Sequence, residues 1–286
     1  MPFRRDLATI SVKFLAKLGS IAYFPRPFLA PPQNNGEPKG TSTRRASSQE
    51  SFCESTEASN MINDLIKEMV EAGVHYGHQT RKWNPGMRPY LMKDKGGIHI
   101  IDLEETVRCL DKASDFISGL AAKKRKILFV GCKQQAQQAV SEAAQAAGQF
   151  YVNHRWLGGT LTNLATIRQS VERLKYLEGI EKAPEYKAMS KKELAALNRE
   201  KNKLLRNLQG VREMDKPPQA LVIVDTAKES IAVAEARRLE IPIVGIIDTN
   251  GDPSIIDYPI PANDDSIRSV RIILQNLVDS IVVASK

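Results

Sequence analysis

The sequence predicts an α/β protein built on a doubly wound, mostly parallel sheet, with a pair of antiparallel helices inserted as a coiled-coil hairpin. Three observations predict it. Short runs rich in branched and aromatic residues, KILFVG from Lys126, FYVNH from Phe150, ALVIVD ending at Asp225 and IPIVGIID ending at Asp248, have the composition of buried strands. Amphipathic helical stretches separate most of these runs, and crossovers of that length return the chain in the same strand direction, which makes the sheet parallel. Between Val152 and Leu221 the alternation stops, and apolar residues recur at intervals of mostly three and four instead.

Taken in order, the ordered region opens at Met61, where Ile62, Leu65, Ile66, Met69 and Val70 keep helical spacing until Gly73. The next stretch is broken by Gly, Pro and Asn, and within it HIID, from His99 to Asp102, reads as a strand. Leu103 to Ala122 is helical through Val107, Leu110, Phe116, Ile117 and Leu120, and the strand at Lys126 leads to a helix from Gln134 to Ala147 that closes at Gly148. Thr162 to about Glu178 puts Leu164, Ile167, Val171, Leu174 and Leu177 on one stripe, and Lys191 to Val211 does the same with Leu194, Leu197, Leu204, Leu208 and Val211. Joined around Pro184, these two make an arm over 161–214, set into an α/β domain of 61–160 and 215–286. A helix through about Leu239 and a last one from about Asp264 complete a sheet of the Rossmann or flavodoxin type.

Residues 1–60 differ in kind. A short apolar and basic start, with Arg4, Arg5, Lys13 and Lys17 beside Leu7, Ile10, Phe14 and Leu15, precedes a stretch rich in Pro, Ser, Asn and Gly whose composition predicts disorder. Two readings stand: a targeting segment for an organelle, or a mis-assigned start upstream of Met61. The first places the protein in an organelle, the second in a bacterial cytoplasm.

A hydrophobic fraction of 42% supports a packed core, and a formal charge of +8 favours an anionic partner, because cations that neutralise phosphates release condensed counterions. Cys53, Cys109 and Cys132 are far apart and include no CxxC, so neither a disulfide framework nor a zinc knuckle is indicated. No apolar run reaches the roughly 18 residues of a membrane span.

An enzyme on such a sheet would bind its ligand beyond the carboxyl ends of the strands, where Asp225, Asp248 and the nearby Asp252 stand. The phosphate cradles that usually accompany such chemistry are missing: GCKQQAQ follows the strand at Lys126 without GxGxxG, and no GxxxxGK[ST] occurs. WLGGTLTN holds a glycine pair but no Ser or Cys nucleophile beside an obvious His base, and neither catalysis nor a cofactor is expected. His75 and His78, with Asp248 or Asp252 as a remote carboxylate, have the chemistry for a metal, but hydrogen-bonded loop histidines are the plainer reading and no metal is expected.

The chemistry of folded-RNA recognition is better represented. Arg81, Lys82, Trp83, Asn84, Arg88, Tyr90, Lys93 and Lys95 interleave cations, an amide and aromatic faces, and His154, Arg155 and Trp156 repeat the combination. Gly158 and Gly159 then allow a sharp reversal into the arm, whose outer faces carry Arg168, Arg173, Lys175, Lys191, Lys192, Arg199, Lys201, Lys203 and Arg206.

EAGVHYGHQTRKWNPGMRPY from Glu71, GIHIIDLEET from Gly97, ILFVGCK from Ile127, YVNHRWLGGTLTN from Tyr151, IPIVGIIDTNGDP from Ile241 and IPANDDSIRSVRIIL from Ile260 together resemble the bacterial-type small ribosomal subunit protein number two family. They run in the family's order across essentially all of Asn63 to Val283. The resemblance implies an α/β domain with an inserted coiled-coil hairpin and a structural, non-enzymatic role in translation. It also implies late assembly onto the back of the small subunit, contact with small-subunit rRNA, and help in recruiting ribosomal protein number one. Two departures are visible: the front extension, and CKQQAQQ from Cys132, where the resemblance implies a more basic or threonine-containing turn.

Overall fold

The computed structural model describes residues 63–180 and 190–285, so the extension over 1–60 and the turn at Pro184 lie outside the described residues. Residues 63–65 belong with a unit that ends at Leu65, and the chain from Ile66 onward forms the unit that holds the sheet. Helical backbone (α1) ends at residue 72. Gly73 takes φ +75°, and the amides of Gly73 and Val74 bond back to the carbonyls of Val70 and Met69, so the predicted stop is a left-handed helix ending.

The sheet has five strands, all parallel: β3 (Ile127–Val130), β4 (Phe150–Val152), β5 (Ala220–Val224), β6 (Ile243–Ile247) and β7 (Tyr258–Pro261), in the order β4-β3-β5-β6-β7. This winding reverses between β3 and β5, and the crevice beyond the carboxyl ends at such a reversal is where doubly wound sheets take ligands. Two details differ from the sequence reading. The strand at His99 lies outside this sheet: β2 (Ile98–Ile100) pairs antiparallel with β1 (Tyr76–Gln79), which half-exposed polar residues conceal in the sequence. β7 replaces it as the fifth strand. Its prolines, Pro259 and Pro261, sit on an edge, where a missing ladder donor is tolerated.

Strand alternation sends side chains to two faces. On one, Leu128, Val130, Leu221, Ile223, Ile243 and Ile247 pack against α4 (Leu164–Ile180), the end of α5 (Lys191–Leu208) and α6 (Ser230–Arg238), through Ile167, Val171, Leu208, Ala232 and Val233. On the other lie α2 (Leu103–Ala122), α3 (Gln137–Ala146) and α7 (Ile267–Ala284), with α7 against both of the others. Asp102 caps α2 by accepting from the Glu104 amide at 3.0 Å, and Thr106 Oγ1 donates to the Pro261 carbonyl at 2.6 Å, fastening α2 to the edge strand.

α5 begins with a capping box, in which Ser190 accepts from the Glu193 amide and Glu193 accepts from that of Ser190. It is tied to α4 by Arg173, whose guanidinium meets Glu200 at 3.0 and 3.1 Å. A second tie joins Glu178 to Arg212, just beyond α5. In a hairpin folded about Pro184, Glu178 would stand opposite the start of α5, so this second tie does not follow the register that the heptad-like spacing suggests.

Candidate nucleic-acid interface

The segment from 80 to 95 is held down by its apolar residues and presents its cations. Asn84 Oδ1 accepts from the Gly86 amide at 2.9 Å, capping the short 3-10 helix Pro85–Tyr90, and the Asn84 amide donates to the Thr249 carbonyl at 2.7 Å. The second bond fixes the segment beside the carboxyl end of β6. Met87 is wholly buried beneath it, and Trp83 is half-buried, its ring tilted 50° against His99 at 5.1 Å between centroids. Arg81, Lys82, Arg88, Lys93 and Lys95 are exposed, and among the described residues none of them has an ion-pair partner.

After β4 the chain turns through His154 and Arg155, and Glu235 of α6 organises the reversal over residues 156–162. Its carboxylate accepts from Trp156 Nε1 at 3.0 Å, from the amides of Gly159, Leu161 and Thr162 at 2.7, 3.0 and 3.1 Å, and from the Thr162 hydroxyl at 3.1 Å. Burial pushes the Glu235 carboxyl up, but these donors outweigh it and hold it below the usual carboxylate range. Trp156 therefore departs from the sequence reading. It is 7% exposed and bonded to Glu235, so its ring belongs to the core, leaving His154 half-buried and Arg155 exposed at the surface. Gly159 takes φ +87°, the left-handed conformation its type allows at this reversal, and Gly158 is the exposed residue before it. Arg168 is exposed on α4, while Arg173 is engaged with Glu200.

At the carboxyl ends of the strands lies a charged cluster that the sequence showed only in part. Lys133 Nζ, in the loop after β3, meets Asp264 at 2.6 Å, Asp265 at 2.7 Å and Asp225 at 3.5 Å. Burial disfavours the charge of Lys133, but these carboxylates outweigh it and raise its pKa. Asp225 ends β5 at φ +63°, a conformation uncommon for a side-chain-bearing residue, and its Oδ1 accepts from the Lys228 amide. Asp248 follows β6 and lies 3.0 Å from His78 Nδ1, whose other nitrogen is 3.4 Å from Asp265; the hydrogen bond that Asp248 accepts from His78 raises the His78 pKa. Asp264 is completely buried, its second oxygen has no hydrogen-bond partner among the described residues, and burial with the charges of Asp225 and Asp248 pushes its carboxyl up to about 7.

His78, Asp264 and Asp265 place donor atoms within 4.8 Å of one another, a hard and borderline set that could hold a divalent cation. His75 is not in this group: its ring lies 4.0 Å from that of Tyr76, and burial lowers its pKa. Asp252 is also elsewhere, accepting from the amide and hydroxyl of Ser254 at the start of a 3-10 turn. The nearby Cys132 thiol is pushed up to about 12 by burial and by Glu229, which favours its protonated form.

No helix among the described residues is long and apolar enough to cross a membrane. A family model described as ribosomal protein S2 matches residues 69–284, which takes in the whole sheet, both surface clusters and the charged cluster. The chain belongs to the ribosomal protein S2 family, structural proteins of the small ribosomal subunit.

Proposed function

We propose that this protein binds small-subunit rRNA mainly through backbone phosphates, using the 81–95 segment and the His154–Arg155 turn. The observation that carries the reading is the unpaired state of Arg81, Lys82, Arg88, Lys93 and Lys95, while Arg108, Arg212 and Arg271 each meet a glutamate. A cation with no internal counter-charge keeps its full attraction for an incoming phosphate and releases that phosphate's counterions on contact. Trp83 and Asn84 support the segment from beneath more than they extend it.

Arg168 and the exposed cations of α5 continue the basic surface along the inserted helices, which we read as a coiled-coil arm that reaches a second stretch of rRNA. Family membership supports neighbouring small-subunit proteins as partners, a structural rather than catalytic role, and a ribosome as the location; we take ribosomal protein number one to be among those partners and the ribosome to be bacterial or organellar.

The test is co-sedimentation of full-length protein with small subunits, together with rRNA binding at graded salt. Arg81→Ala, Arg88→Ala and Lys93→Ala combined should reduce incorporation and lower the slope of log affinity against log salt by roughly 0.7 to 0.9 for each phosphate that is no longer neutralised. Unchanged incorporation and slope overturn the reading.

A further inference from the structure

A cleft of about 480 Å³ opens between the His154–Arg155 turn and α5, lined by His154, Arg155, Asn202, Lys203, Arg206 and Asn207. We propose that it is a nucleotide-binding site for unpaired RNA, taking one phosphodiester on the cations and its nucleoside against the amides and the imidazole. The inference rests on the rRNA-binding reading above and names a site that the reading does not require.

Charge is the first observation. No carboxylate lines the cleft, and among the described residues Arg155, Lys203 and Arg206 have no ion-pair partner. Arginines close by in the chain do: Arg173 meets Glu200, and Arg212 meets Glu178. Cations gathered around a concavity without a counter-charge repel one another until an anion enters, and a phosphodiester accepts from several donors at once.

Unused hydrogen-bonding capacity is the second. The Asn202 and Asn207 side chains have no hydrogen-bond partner among the described residues, and each offers the donor-and-acceptor edge that matches a base edge or a 2′-hydroxyl. His154 Nδ1 is buried and also unpartnered. Burial first, and Arg206 second, lower the His154 pKa, so the ring is neutral and able to accept or to stack.

The walls are fixed by the core. Leu204 and Leu208 of α5 pack into the cluster that holds Trp156, and Glu235 anchors the turn from below. The volume falls within the range of small-ligand pockets, roughly 300 to 1,000 Å³, a fit for one splayed nucleotide rather than for the flatter face of an acidic protein.

The experiment uses the full-length protein and small-subunit rRNA. Lys203→Gln with Arg206→Gln should weaken binding at least about tenfold near physiological salt and reduce the salt slope by roughly 0.7 to 0.9, the share of the one phosphate the cleft takes. Asn202→Ala with Asn207→Ala should weaken it several-fold with the slope unchanged, and this uncharged pair carries the test if the first variant fails to fold. Arg108→Gln with Arg271→Gln, two cations with internal partners, should change neither. Normal affinity and slope in both cleft variants overturn the site, as does protection of Lys203 from acylation by inorganic phosphate as complete as that by rRNA, which marks a simple anion site. Normal rRNA binding with impaired binding of another small-subunit protein also overturns it, in favour of a protein contact. Absence of salt-dependent rRNA binding by the unaltered protein removes instead the broader reading on which the site rests.

Discussion

Without its ammonium group, Lys133 would leave Asp264 fully buried among like charges with no cation in contact. Breaking a buried pair from one side costs about 3 to 5 kcal/mol, so Lys133→Met should lower unfolding stability by that order in a urea titration. Adding Asp264→Asn should recover much of the loss, because the two changes act on one interaction and will not add. Glu235→Ala should cost about 3 kcal/mol by stranding the Trp156 indole and the backbone amides that converge on it. The pH dependence comes from the direction of its shift. A carboxyl held below its ordinary value contributes fully above the ordinary carboxylate range and loses that contribution as pH falls through the folded-state value. Glu235→Gln should therefore remove part of the acid sensitivity of the melting temperature below the ordinary carboxylate range. At this scale the sequence was informative where function depends on position along a strand: Asp225 and Asp248 could be placed at strand ends from the apolar runs before them. Lys133, Asp264 and Asp265 could not, since loops bring them together through the winding of the sheet. Trp156 misled for a similar reason, its partner Glu235 lying 79 positions away.

Among the elements, the turn that follows α5 packs closely on β4. A Cβ added to Gly210 would come within 2.1 Å of the Tyr151 carbonyl oxygen, a backbone atom that cannot swing aside. Gly210→Ala should therefore lift the end of α5 from β4, exposing Leu208 and Val211. Increased amide exchange over 204–212, with the rest of the sheet still protected, is the expected result. Arg173→Ala, by contrast, removes a solvent-exposed pair and should leave the melting temperature within error. Helices were read well from periodicity because their apolar stripes are long. Strands were read where they are apolar runs, but β1 and β7 were not: β1 is half polar, and β7 contains two prolines that argue against a strand anywhere but at an edge.

For the molecule as a whole, the separation of roles is clear in the placement of charge. Carboxylates converge at the centre of the carboxyl end of the sheet around Lys133, while unpaired cations occupy the 81–95 segment and the cleft beside α5. With six or more phosphate contacts, affinity for rRNA should fall by roughly a thousandfold or more between about 50 and 200 mM salt, measurable by filter binding. Net charge alone pointed toward an anion, and the fold class came from alternation. Neither could show which cations had already been neutralised from within, because ion pairing is a property of the folded chain.

The order of strands also sets a schedule. β3 lies between β4, which comes soon after it in the chain, and β5, whose approach is bridged by Lys126 and Gln219 at a separation of 93 positions. Closing so long a loop carries an entropy cost that local contacts do not, and α4 and α5 must be made before the centre of the sheet can form. During synthesis, β3 and β4 will therefore emerge as a two-stranded fragment with one unsatisfied edge, waiting for β5. The seam that later supports the charged cluster thus cannot close until α4, α5 and β5 have all been made, and until then the free edge of β3 is open to wrong partners.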